Sequence, residues 1–134
     1  MDNKVIQFYR KITREGYQHS GTIENPSIFL DSSGEKIPLC SKSVDSYVNI
    51  YIKIKDDFIE EVKYRHVGRP MSNVVAEIFC ALLSGRTVAE AADLSGQDFS
   101  DHLGTDDEEY IEASNSMIKL LHIGLDRFNT GLSE

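Results

Sequence analysis

Val48-Asn49-Ile50-Tyr51-Ile52-Lys53-Ile54 sets a β-branched aliphatic residue at every second position, with Asn49, Tyr51 and Lys53 between them. Successive side chains of a strand leave on opposite faces, so this two-residue period describes a strand with one buried face. Lys55, Asp56 and Asp57 follow as a polar turn, and Phe58 to Val67 resumes with β-branched and aromatic residues among charges. The runs Tyr47 to Ile54 and Phe58 to Val67 therefore predict an antiparallel hairpin. Upstream, Tyr17 to Ser46 is rich in Gly, Ser, Pro, Asn and Asp, and reads as loop. It contains short apolar stretches at Ile28 to Leu30 and Ile37 to Cys40, with room for one edge strand.

Helical spacing governs the rest of the chain. Val5, Phe8, Tyr9 and Ile12 recur on one face before Gly16 and predict a short amphipathic helix. After Gly68, Pro70 suits a first helical turn, where its missing N–H is not needed. Met71, Val74, Val75, Ile78, Leu82 and Leu83 form an apolar stripe that Gly85 is placed to end. Thr87 and Glu90 make a T-x-x-E capping box for a shorter helix through Leu94, with Gly96 as its expected stop. Thr105 and Glu108 repeat that spacing ahead of a last helix, which is expected to turn Ile111, Ile118, Leu121, Leu125 and Phe128 to the core and to stop near Gly131. Strands grouped together with helices grouped after them predict an α+β fold, a small antiparallel sheet of about three strands covered by helices.

The 134 residues allow one core, and the expectation is a single domain over 1–134. Apolar residues make up 40% and charged residues 27%, close to ordinary globular usage, so neither disorder nor a fibrous repeat is indicated. A formal net charge of -8 argues against a phosphate-backbone partner, which needs clustered Lys and Arg, so no nucleic acid is expected. No apolar run approaches the roughly 18 residues of a membrane span, and Met1 to Gly16 is unlike a signal peptide. The expected location is the cytoplasm, with no membrane partner. Two cysteines, Cys40 and Cys80, are too few for a disulfide framework and are read as thiols.

The order of these pieces resembles the NifU/IscU/SufU iron-sulfur cluster assembly scaffold domain. In that family an alternating strand precedes an I-x-D/E-x-x-F strand, a Gly-Cys pair opens a helix rich in small residues, and a G-K-T/S-x-x-E-A turn follows. Here Val48 to Ile54, Phe58 to Tyr64, Gly68, the apolar helix and Gly85-Arg86-Thr87-Val88-Ala89-Glu90-Ala91 stand in that order. Glu24-Asn25-Pro26 is similar to the family's N-P-R-N stretch, and the likeness covers Glu24 to Leu94 with a looser fit of the last helix. It implies a NifU/IscU-like fold, a NifU-like N-terminal-type domain, a scaffold rather than an enzyme, and partners such as a cysteine desulfurase or other iron-sulfur assembly factors.

Family members hold a transient [2Fe-2S] cluster or zinc with three cysteines and a nearby Asp or His, because soft thiolates suit both. The resemblance places Cys40 and Asp45 at the first motif with altered spacing, Arg69 at the second cysteine position after Gly68, and Tyr110 at the third by the Ile118-Lys119 register. One thiol of three survives, so no stable [2Fe-2S] cluster is expected. Zinc or iron on Cys40, Asp45 and His66 is the remaining metal reading. Two classes follow: a divergent scaffold-like protein of iron-sulfur assembly unable to hold a stable cluster alone, or a degenerate homologue acting as a partner-binding or regulatory module without metal.

Each candidate has a plainer reading. Cys40 serves equally as an exposed ligand or a small loop residue, and Cys80, inside the apolar helix, reads as core packing. His66 is a strand-end residue or a ligand. Arg69 is a solvated helix-start cation or an ion-pair partner of Asp45 or of a carboxylate in the last helix. The acidic run from Asp98 to Glu112 reads as a solvated face, partly explained by charge placed at a helix start; a hard-cation site or a basic partner's docking surface is the lesser reading, because calcium-loop spacing is absent. His102 and His122 have no partner at metal-ligand spacing. A Cys40–His66–Asp45 nucleophile is allowed but not indicated, and no phosphate loop, nucleophile elbow or H-E-x-x-H occurs.

Overall fold

A computed structural model describes residues 2–37 and 47–130. Strand β1 (Ile28–Asp31), strand β2 (Tyr47–Lys55) and strand β3 (Phe58–Val67) form one sheet in the order β1-β2-β3, with both pairings antiparallel. Val48, Ile50 and Ile52 are fully buried, as the alternation requires. The hairpin turn is two residues long, Asp56 and Asp57 lying between the pair Lys55 and Phe58, and both have positive φ. That geometry matches the right-handed twist of the flanking strands. A bulge shifts the register at Lys53 and Ile54, so that Ile59 and Val62, three residues apart, both reach the core.

Among the described residues five helices accompany the sheet: α1 (Asn3–Glu15), α2 (Pro70–Leu83), α3 (Val88–Ala92), α4 (Gly96–Leu103) and α5 (Glu108–Asn129). Helices α2 and α5 pack on each other and on the inner face of the sheet, α2 over β3 and α5 over β1. Every residue from Met71 to Cys80 is buried, so α2 is enclosed on all sides and not by one stripe. The other sheet face carries Phe29 and Tyr51, whose rings lie 5.2 Å apart across the strands. The free edge of β3 is covered at both ends. The Tyr64 amide donates to the His19 carbonyl at 2.9 Å and the Ile59 amide to the Arg86 carbonyl at 2.8 Å.

Three sequence expectations are corrected. Gly96 does not stop the helix after Thr87; it opens α4, whose start is fixed by the Ser95 amide donating to Asp98 at 2.8 Å. Thr105 does not cap α5. Asp107 does, accepting from the Tyr110 amide at 3.0 Å, while the Thr105 hydroxyl donates to Asp2 at the far end of the chain. Within α5 the buried stripe is Tyr110, Ala113, Ser114, Met117, Leu120, Leu121, Gly124 and Leu125. Ile111 and Ile118 lie at its border, half-buried. The Thr87–Glu90 capping box is present, with both amide-to-side-chain bonds near 3 Å.

Candidate functional site

Strand β3 leaves the sheet at Val67, and Gly68 turns the chain into α2 with φ +135°, a backbone conformation open to glycine and strained for other residues. Arg69 is the N-cap of α2 in extended conformation, without a side-chain cap bond, and Pro70 takes the first helical position. Arg69 is exposed, and among the described residues it has no ion pair with a carboxylate of the last helix. Its guanidinium cannot give up a proton to ligate a metal.

His66 sits opposite Val48 and is half-buried. It is two residues from Tyr64, so it shares the inward side of β3, with ring centroids 6.1 Å apart. Burial lowers its pKa and favours the neutral imidazole, the form that can ligate a metal or accept a hydrogen bond. Cys40 and Asp45 lie outside the described residues, as does the part of the Ile37 to Cys40 stretch after Ile37.

Tyr110 is fully buried in the first turn of α5, and its hydroxyl donates to the Phe99 carbonyl at 2.6 Å. Burial holds this phenol protonated well beyond its ordinary range. The position that the resemblance aligns with a third cysteine is thus occupied by a packed aromatic that ties α5 to α4. Cys80 is also fully buried, and desolvation, with the Glu77 carboxylate adding to it, pushes its thiol up. Its expected core role is what the structure shows. His102 and His122 are exposed. Among the described residues, no group of three or more His, Cys, Asp or Glu side chains is arranged to hold a metal.

Much of the acidic run does local work. Asp98 and Asp107 hold the first turns of α4 and α5, Asp101 accepts from Gln97 at 2.8 Å, and Glu108 and Glu109 lie at the positive end of α5. One polar pair escaped the sequence reading. Glu77, 5% exposed in the middle of α2, accepts from His19 Nδ1 at 3.0 Å. The indication was a lone carboxylate inside Val74-Val75-Ala76-Glu77-Ile78-Phe79-Cys80. Nearby, the buried Tyr64 hydroxyl donates to Asn73. Burial raises the Tyr64 phenol, and Glu77 adds to the shift.

A hairpin extended by an edge strand, a glycine turn into an enclosed helix and a long closing helix define a small α+β domain. The chain belongs to the NifU-like N terminal domain family, whose sequence profile matches residues 3–132. Among solved structures, it is similar to a protein of Fervidobacterium islandicum AW-1 named as an iron-sulfur cluster assembly scaffold for the SUF system. That likeness has a TM-score of 0.64 at 15% identity and covers 93% of this chain and 96% of that one. It is also similar to the N-terminal part of a nitrogen-fixing NifU-like protein from Brucella abortus, with TM-score 0.50 at 13% identity, covering 98% and 85% of the two chains. At these identities the likeness speaks for the fold. No curated protein matches the sequence. Family and fold together are those of iron-sulfur cluster assembly scaffolds.

Proposed function

We propose that this chain serves iron-sulfur cluster assembly as a divergent scaffold-like protein that does not hold a stable [2Fe-2S] cluster on its own. The observation that supports this is the thiol inventory: the chain has two cysteines, and one of them, Cys80, is sealed in the core. A [2Fe-2S] cluster needs four ligand bonds, and Cys40 is the one thiol left to contribute. Arg69 follows Gly68 where the family places a cysteine, and a fixed cation there favours an anion or a carboxylate over iron. The donors the chain offers a divalent ion are Cys40, Asp45 and His66, a set suited to zinc with an open fourth position. On this reading the protein is not an enzyme, works in the cytoplasm, and acts through a cysteine desulfurase or another assembly factor of its cell.

Tyr110 favours a second reading. A fully buried, hydrogen-bonded aromatic at the third ligand position suits a homologue that has given up metal and kept the fold as a partner-binding or regulatory module. Anaerobic reconstitution with iron and sulfide, read by visible absorption and iron content on untagged protein, tests the proposal. We expect no stoichiometric cluster. A stable cluster in the wild-type monomer would refute it, and zinc bound by wild type but not by Cys40→Ser would favour the first reading over the second.

A further inference from the structure

Glu77 has no role in any of the ligand sets above. Taking a carboxylate out of water costs several kcal/mol unless it is paired. Its Oε1 meets His19 Nδ1 at 3.0 Å and its Oε2 accepts from the His19 amide at 3.4 Å; among the described residues its ion-pair partner is that imidazole, which is charged only when protonated. Glu77 and His19 line a cleft of about 140 Å³ between the C-terminal half of α1, the turn after it, and α2. At about 30 Å³ per water that space holds a handful of waters or one small ligand head, and is too small for a nucleotide. Its apolar wall is Phe8, Ile12 and Ala81; Lys11, Glu15 and His102 complete the charged lining. The lining thus sets two carboxylates, Glu77 and Glu15, against a single ammonium, Lys11.

We infer that this cleft is a binding site for a monovalent organic cation, an alkylammonium or alkylguanidinium head, with Glu77 as its counter-ion and the Phe8–Ile12–Ala81 wall as the seat of its alkyl stem. A planar guanidinium suits a carboxylate through two parallel N–H donors, and burial strengthens that bond relative to water. A divalent metal is the poorer fit, because no three donors here are arranged to hold one. The site lies about 12 Å along α2 from Arg69. The same head is offered by a free amine or by an arginine at the surface of another protein.

Titration of the wild-type protein with butylguanidinium, followed by amide chemical shifts, tests the inference. Saturable shifts centred on His19, Glu77 and Ala81 are expected, with binding about ten-fold weaker in Glu77→Gln. Butylurea, the neutral isostere, should bind no better than that variant. Stronger binding of an arginine-containing tripeptide than of butylguanidinium assigns the site to another protein's side chain; the reverse assigns it to a small molecule. If Glu77→Gln does not fold, Ala81→Leu fills the cleft from an exposed helix position and should abolish the shifts. No saturable binding to wild type, equal binding of butylurea, or unchanged binding in Ala81→Leu overturns the assignment.

Discussion

Gly124 on α5 lies so close to Leu30 on β1 that a methyl group at its Cβ position would sit 2.9 Å from the leucine Cδ2, and at the same distance from Ile28 Cγ2. The absent side chain is what lets the last helix rest on the edge strand. Both leucine and isoleucine are buried, so neither can swing into solvent to make room. Gly124→Ala should therefore destabilise the fold by about 1–3 kcal/mol through overpacking, despite its better helix propensity. Chemical denaturation checks this; a neutral or stabilising result would mean that α5 can slide on the sheet.

The hairpin turn invites the opposite change. Asp56 and Asp57 both have positive φ, which suits Asn-Gly better than two aspartates. Asp57→Gly should raise the unfolding free energy by about 0.5 kcal/mol, relieving left-handed strain and like-charge repulsion against the entropy of the added glycine. A lowered thermal midpoint would count against the two-residue turn.

Asp2 caps α1 by accepting from the Val5 amide at 3.0 Å and also accepts from the Thr105 hydroxyl. The Thr105 bond first, and the amide bond second, lower its pKa below the ordinary carboxyl range. A carboxyl depressed in the folded state stabilises above its unfolded pKa and loses that contribution as pH falls through its folded one. Asp2→Ala should cost about 1 kcal/mol near neutral pH, and the gap from wild type should close below about pH 4. A gap independent of pH would place the effect elsewhere.

Cys80 should resist thiol reagents in the native protein and react only on unfolding, because it is buried and its thiolate is disfavoured. Labelling with and without denaturant, followed by mass mapping, reads this directly. Native modification of Cys80 would show that α2 opens.

The sequence carried the hairpin because period-two alternation and a two-residue polar turn are local facts, and Val48 to Ile54 displayed both. The Thr87–Glu90 box was legible for the same reason. Gly96 misled because a glycine two residues past Leu94 suits a helix stop, while the Ser95–Asp98 spacing beside it was the stronger local feature. Thr105 misled differently: its partner Asp2 is 103 residues away, and no window of sequence displays that contact. The buried stripe of α5 runs through Met117 and Gly124, not Ile118, because the glycine's close approach to β1 sets the rotation of the helix. At the site, the absence of thiols could be counted in advance. The burial of Tyr110 could not, since it depends on Phe99 in a helix the sequence reading had missed.

Helix α2, walled in from Met71 to Cys80, has a consequence for how the molecule breathes. A helix with one solvent face can fray and exchange its amide hydrogens through local openings, but one closed on every side has no such route short of separating its neighbours. The amides of Val75 to Phe79 should thus report the global unfolding free energy in deuterium exchange. Surface helices such as α3 should exchange through smaller fluctuations that leave the centre intact.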